Sequence, residues 1–279
     1  MEKTFNNKYK VIDIIGKPSF GIIYKVLEIG TENLYALKLT FASHNVKKIS
    51  EEHFEKKIQI LKNIKNKYII ELKDYFFDQK QEGYCIVMEL CDCSLRDILN
   101  KYKPNGLPIN IIKKIFIQLN EALKIMIEKK YIHRDLKPEN ILIKYSDKNK
   151  TDFDIKLTGF GLSLYEYCYF FGIYTDIGQY SDIYIAPEVD NIIYNNKSDL
   201  WSLGIILYEL YTNKRVKGWI VEETDNEMIN KLISKLIQVD IEKRIGWEEY
   251  FNDDFFKIKE EKEKNKKTES ELNSNLLVK

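Results

Sequence analysis

The chain has 279 residues, 44% of them hydrophobic and 31% charged, which is the balance of a globular protein rather than a disordered one. Lysine and arginine number 44 against 43 aspartates and glutamates, so the net charge of +1 excludes a protein built to coat nucleic acid or an anionic membrane. The longest near-continuous apolar stretch, Trp201 to Tyr211, is far short of the roughly 20 residues of a membrane span. The polar opening MEKTFNNKYK carries no signal segment and four cysteines make no disulfide framework, so a soluble cytoplasmic protein without membrane contact is expected.

From Tyr9 to Leu39, β-branched and aromatic residues alternate between breaks at Gly16, Gly21 and Gly30, which predicts two or three antiparallel strands. Inside this stretch, IIGKPSFGIIYKV has the form of a glycine-bearing hairpin whose backbone N–H groups can approach a nucleotide's phosphates. Pro18 lacks that N–H and stiffens the loop, and a plain hairpin accounts for the pattern as well. Lys38 ends the following strand, with Ala36 alternating with it, and a lysine on a buried strand is costly unless it meets an anion. Residues 46–64 carry a helical pattern with Phe54, Ile58 and Leu61 on one face; Ile69–Phe77 and Tyr84–Leu90 read as strands. After Cys91 the period lengthens to helices near 94–102, 109–130, 197–212 and 226–238, so a strand-rich part of about 90 residues precedes a mainly helical one. Cys91 and Cys93 form a CxC without a second ligand pair, which points to ordinary solvent-near thiols rather than a metal site. Arginine stands only at positions 96, 134, 215 and 244, which hints that these places need a planar guanidinium fork.

The strongest signal is YIHRDLKPENILIKY, Tyr131 to Tyr145, followed by Ala186-Pro187-Glu188, by SDLWSLG with Asp199, Trp201 and Gly204, and by Arg244. In this order the motifs resemble the eukaryotic protein kinases, serine/threonine branch, over about residues 9–256. The resemblance implies an α+β, two-lobed protein-kinase-like fold. A small β-rich N-lobe with one helix would span 9–90 and a larger, mainly helical C-lobe 91–256, between an N-terminal extension 1–8 and a charged tail 257–279, helical or disordered. It implies that Asp135 handles the substrate hydroxyl's proton, that Lys137 stabilises the transferred phosphoryl, and that Asn140 holds magnesium. Gly16, Gly21, Ile23, Ala36, Lys38, Met88 as gatekeeper, Glu89 and Cys91 in the hinge, and Leu142 would bind ATP. Arg134 would dock a phosphate carried by the activation segment, where Thr175 and Ser181 are the acceptors. Leu61, Leu72, His133 and Phe160 match a hydrophobic stack anchored on Asp199, and Arg244 would grip Glu188 bidentately.

Two departures bear on chemistry. Where the family places the magnesium-binding aspartate of DFG, the sequence reads Gly159-Phe160-Gly161, and Asp152 and Asp154 precede the strand leading there. Counting from Leu61 and Leu72, the helix glutamate that should pair with Lys38 falls on Lys57, while Glu55 lies about 200° away round the helix. The reading is therefore a catalytically impaired kinase-like domain, a nucleotide-binding or regulatory module, with an active serine/threonine kinase as its alternative. Either Lys57 takes over part of magnesium's neutralising role, making ATP binding metal-independent, or it points to solvent. The tyrosines at 165, 167, 169, 174, 180 and 184 either block the cleft or form a partner surface. Expected partners are ATP or another nucleotide and a protein partner or substrate.

Overall fold

The computed structural model describes residues 3–18, 21–41, 51–160, 164–165, 183–191, 195–216 and 220–257, with backbone alone at 53, 164, 165, 190 and 191. Residues 1–91 and 92–279 form two compact units. The first is built on a six-stranded antiparallel sheet of β1 (Thr4–Phe5), β2 (Tyr9–Gly16), β3 (Gly21–Glu28), β4 (Leu34–Phe41), β5 (Leu72–Asp78) and β6 (Gly83–Glu89), ordered β1-β2-β3-β4-β6-β5. The period of two sorts its side chains. Tyr24, Val26, Leu37, Leu39, Cys85 and Val87 pack into one buried cluster with Phe5 and Tyr9. Ile86 faces the other way, onto α1 (Glu51–Asn63), where it meets Phe54 and Ile58.

Within the N-terminal extension 1–8, Phe5 is fully buried, pairs with Tyr9 and lies 5.2 Å from the Tyr24 ring. A two-residue strand has no period to detect. The helix over 46–64 is described from Glu51 to Asn63, and the strand expected from Ile69 begins at Leu72.

The second unit opens with β7 (Cys93–Ser94) and α2 (Leu95–Tyr102), started by a reciprocal cap between Ser94 and Asp97. It continues through α3 (Ile109–Glu128), β8 (Tyr131–Ile132), β9 (Ile141–Tyr145), β10 (Phe153–Leu157) and β11 (Leu164–Tyr165). It closes with α4 (Ser198–Thr212), α5 (Glu227–Leu236) and α6 (Trp247–Phe251). Every residue of α4 from Ser198 to Leu210 is buried, as an all-round apolar helix must be when other elements surround it. Helices 109–130 and 226–238 stop two residues early, at Glu128 and Leu236. The β9–β10 hairpin sets Asp154 inside a strand, opposite Lys144, and not ahead of it. Among the described residues no helix is long and apolar enough to cross a membrane.

Candidate functional site

In the first unit, strand register assembles a continuous face. Gly16 pairs with Ile23, Ile23 with Lys38 and Lys38 with Ile86, forming one cross-strand row; Lys25, Ala36 and Met88 form the next. The sequence-predicted residues Gly16, Ile23, Ala36, Lys38 and Met88 therefore share neighbouring rows. Gly21 is required by close approach, because a Cβ there would overlap the Leu39 carbonyl oxygen. Pro18 accepts a hydrogen bond from the Gly21 N–H at 3.2 Å, while Ser19 and Phe20 lie outside the described residues. Glu89 is committed to structure: its carboxylate accepts the Glu71 N–H at 3.0 Å. Cys91 is half-buried and is not part of a disulfide.

On α1, Lys57 falls in the inward stripe with Phe54, Ile58 and Leu61, which are 7%, 0% and 5% exposed. Lys57 itself is half-buried, and Glu55 is exposed on the other side. Burial first, and the Lys38 ammonium second, push the Lys57 pKa down from 10.5 to about 7. Lys38 and Lys57 thus converge as like charges where the resemblance implies an ion pair.

In the second unit, the segment from β8 to β9 carries the catalytic-loop motif. Asp199 of α4 accepts the backbone N–H of His133 at 2.7 Å and that of Arg134 at 2.9 Å, fixing the turn in which Arg134 adopts φ 69°. Burial raises the Asp199 pKa and lowers that of His133, whose Nε2 contacts the Thr158 carbonyl at 2.9 Å. Phe160 packs on the His133 ring, centroids 5.0 Å apart. Both carboxylate oxygens of Asp135 are engaged: Lys137 Nζ stands 2.6 Å from Oδ1, and Asn140 Nδ2 donates to Oδ2 at 2.8 Å and to the Asp135 carbonyl at 2.7 Å. Asp135, Lys137 and Asn140 are thus brought together within this unit. Leu142 lies beyond them in β9, opposite Lys156 and Ser94.

Gly159 sits against this group with φ +93°, and a Cβ there would lie 2.5 Å from the Cγ and Nδ2 of Asn140. Its backbone is held in place, since the Thr158 N–H donates to the Asn140 carbonyl at 2.9 Å. Any side chain at 159 must push out an amide that is itself bonded to Asp135. Gly159→Ala is expected to lose about 1–3 kcal/mol of stability, from positive φ and displaced Asn140 together, measured by urea denaturation. A neutral result would show that Asn140 moves aside freely.

A second polar cluster escaped the sequence reading. Arg96 of α2 donates to Glu139 at 2.7 Å, to the Tyr184 oxygen at 2.6 Å, and to both oxygens of buried Glu209 at 2.9 and 2.8 Å. Arg215 adds a contact to Glu209 at 3.1 Å, and the Tyr184 hydroxyl donates to Glu209 as well. Scarcity of arginine was the available signal; no motif named the partners. Arg244 grips Glu188 through two bonds of 2.7 and 2.9 Å. Asp152 is held by Lys114 and Ser146. Thr175 and Ser181 lie outside the described residues, as do Gly161 and the tyrosines from 167 to 180.

Comparison with known proteins bears on the fold and the family. The sequence profile of the protein kinase domain matches residues 9–256. The serine/threonine-protein kinase atg1 of Dictyostelium discoideum is 30% identical over 85% of this chain and 37% of its own length. Calcium-dependent protein kinase 4 of Plasmodium falciparum is 33% identical over 74% of this chain and 38% of its own. For dual specificity tyrosine-phosphorylation-regulated kinase 4 of Homo sapiens the figures are 31%, 74% and 38%. The chain spans well under half the length of these relatives. A crystal structure of a kinase domain superposes with a TM-score of 0.71 at 21% identity, covering 92% of this chain and 97% of the other, which shows the fold.

Proposed function

The chain belongs to the protein kinase family, and from that premise we propose that it is a nucleotide-binding, regulatory member in which efficient phosphoryl transfer is lost. A kinase domain binds ATP, usually with a metal ion, and acts on or docks proteins. One observation carries the finer reading. Position 159 offers no carboxylate, and the adjoining Asn140 amide fills the space that one would need.

Magnesium does not fit the donor set. Asn140 offers one neutral amide oxygen while its nitrogen donates to Asp135, Asp135 has both oxygens engaged, and no group of three His, Cys, Asp or Glu is placed to hold a metal among the described residues. Metal stabilisation of a transferring phosphoryl group is worth several kcal/mol. At about 1.4 kcal/mol per factor of ten, losing about 4–6 slows transfer a thousandfold or more. Lys57 in place of a carboxylate compounds the loss, because Lys38 gains a neighbour that repels it.

Those two ammonium groups support the binding half of the proposal. A triphosphate brings an anion to this pair of like charges, and it reprotonates Lys57 on arrival, so its charge is offset without a divalent cation. In equilibrium titrations of the purified chain with ATP, the dissociation constant is expected to stay within about twofold when EDTA replaces magnesium. Binding that disappears with EDTA overturns metal independence. In a phosphoryl-transfer assay, wild type and Asp135→Asn are expected to be equally inert; turnover that Asp135→Asn abolishes would instead establish an active kinase.

A further inference from the structure

We propose that Asn105 is a site of spontaneous covalent modification: the Gly106 nitrogen closes on its side-chain amide, and the isoaspartate that results releases the loop 103–108 from the C-terminal end of α4. This goes beyond nucleotide binding and does not depend on it.

The sequence supplies the reactive pair. Asn105–Gly106 is the one place in the chain where asparagine precedes glycine; every other asparagine is followed by a residue with a Cβ. Asparagine is thermolabile because the next backbone nitrogen can attack its side-chain amide carbon, and a Cβ on the attacking residue obstructs that approach. The loop between α2 and α3 leaves both reacting groups open. Asn105 is exposed, and neither its side-chain amide nor the Gly106 N–H makes a hydrogen bond among the described residues.

The backbone around this pair is held at three points. The Asn105 N–H donates to the Tyr102 carbonyl at 2.9 Å, the Asn105 carbonyl accepts Asn213 Nδ2 at 2.8 Å, and the Leu107 N–H donates to the Leu210 carbonyl at 2.7 Å. The bond from Asn213 acts on the chemistry. To attack, the Gly106 nitrogen must lose its proton, and the charge so formed is shared with the Asn105 carbonyl oxygen at which Asn213 is aimed. A donor fixed there stabilises the anion before the ring closes. Asn213 is itself tied down, since the same nitrogen donates to the Leu99 carbonyl at 2.9 Å. Packing also keeps the glycine in place, because a Cβ at Gly106 would overlap the Tyr211 carbonyl.

The step balances without an oxidant. The Gly106 nitrogen bonds to Asn105 Cγ, and the amide nitrogen leaves as ammonia with the proton that Gly106 gave up, so a cyclic imide remains. Water then opens the imide at either carbonyl, giving aspartate or isoaspartate; one water enters and one ammonia departs. In isoaspartate the main chain runs through the side chain and is one methylene longer. The carbonyl that Asn213 holds leaves the main chain as a free carboxylate, and the extra atom falls where Gly106 already lies against the Tyr211 carbonyl.

The test ages the full chain at about pH 9, where the backbone amide anion is better populated, and maps the products by peptide mass spectrometry. An isoaspartyl methyltransferase with labelled S-adenosylmethionine counts the isoaspartate. Asn105 is expected to convert at least about tenfold faster than the mean of the other asparagines. Asn213→Asp, which puts an acceptor where the donor stood, should slow that conversion about tenfold, and Asn105→Gln should remove the product. The isoaspartate-bearing fraction should melt at least about 2 °C below fresh protein, whereas Asn105→Asp, with the charge but not the longer chain, should stay within about 1 °C of it. Should Asn213→Asp not fold, the site map and the two Asn105 variants decide alone. Uniform conversion, another asparagine reacting first, or an unchanged rate in folded Asn213→Asp overturns the proposal. Isoaspartate at position 105 with unaltered melting overturns the release of the loop.

Discussion

Arg244→Met is expected to lower the melting temperature by about 6–20 °C, the equivalent of about 3–5 kcal/mol in a chain of this size. The Arg244 side chain is fully buried and makes five hydrogen bonds: two to Glu188, two to the Gln238 carbonyl and one to the Lys197 carbonyl. Its guanidinium also lies over the Trp201 ring at 5.4 Å. Methionine fills much of the volume but leaves the Glu188 carboxylate with the Ser198 hydroxyl as its remaining side-chain partner, and takes both arginine donors from the Gln238 carbonyl, while the Lys197 carbonyl keeps the Leu200 N–H. Most of the loss is thus an uncompensated charge, not a missing contact. Adding Glu188→Leu to Arg244→Met should restore more than half of it, whereas Arg244→Lys, which keeps the charge but not the planar fork, should fall between. A single-variant drop under about 3 °C by circular dichroism would show that the pair is not what anchors this region.

The same pair shows what the sequence reveals and what it hides. Arg244 and Glu188 lie 56 positions apart, and no local pattern joins them; the resemblance to a known family supplied the link, and the fold forms it. The helices at 94–102, 109–130, 197–212 and 226–238 were legible from period alone, because each buries one stripe or, for α4, its whole surface. Short strands were not. β1 has two residues and β9 and β10 have five each, too few for alternation to stand out. Lys57 was legible in a different way. Its position among Phe54, Ile58 and Leu61 could be counted, but whether its amine turned inward or to solvent depends on packing, and the nearness of Lys38 and its burial favour the first. Glu209, Glu139 and Arg96 stayed hidden because their meeting is purely tertiary, between α4, the turn at Pro138–Asn140 and α2.

Lys57→Met is expected to stabilise the chain by about 2–3 kcal/mol near pH 6.5, and the gain should shrink as pH rises. The sign follows from the direction of the shift. Lysine ordinarily titrates at 10.5 and Lys57 in the fold at about 7, so between these values the unfolded chain holds a proton that the folded one has released. Wild-type stability therefore rises with pH across that window, and below it the full penalty of a charged, half-buried lysine remains. The whole shift corresponds to an upper bound of about 5 kcal/mol, and the partial opening of the side chain to water cuts this to roughly half. Methionine does not titrate and suits the apolar stripe of Phe54, Ile58 and Leu61, so urea midpoints of the two proteins should differ most at pH 6.5 and approach each other near pH 10. A gap independent of pH would assign the effect to packing alone. The same substitution removes one of two positive charges that would meet a triphosphate, so ATP should bind Lys57→Met at least about tenfold more weakly at pH 6.5. Gaining stability while losing ligand is the signature of a group held in an unfavourable place for binding, and a residue serving only the fold would lose both or neither.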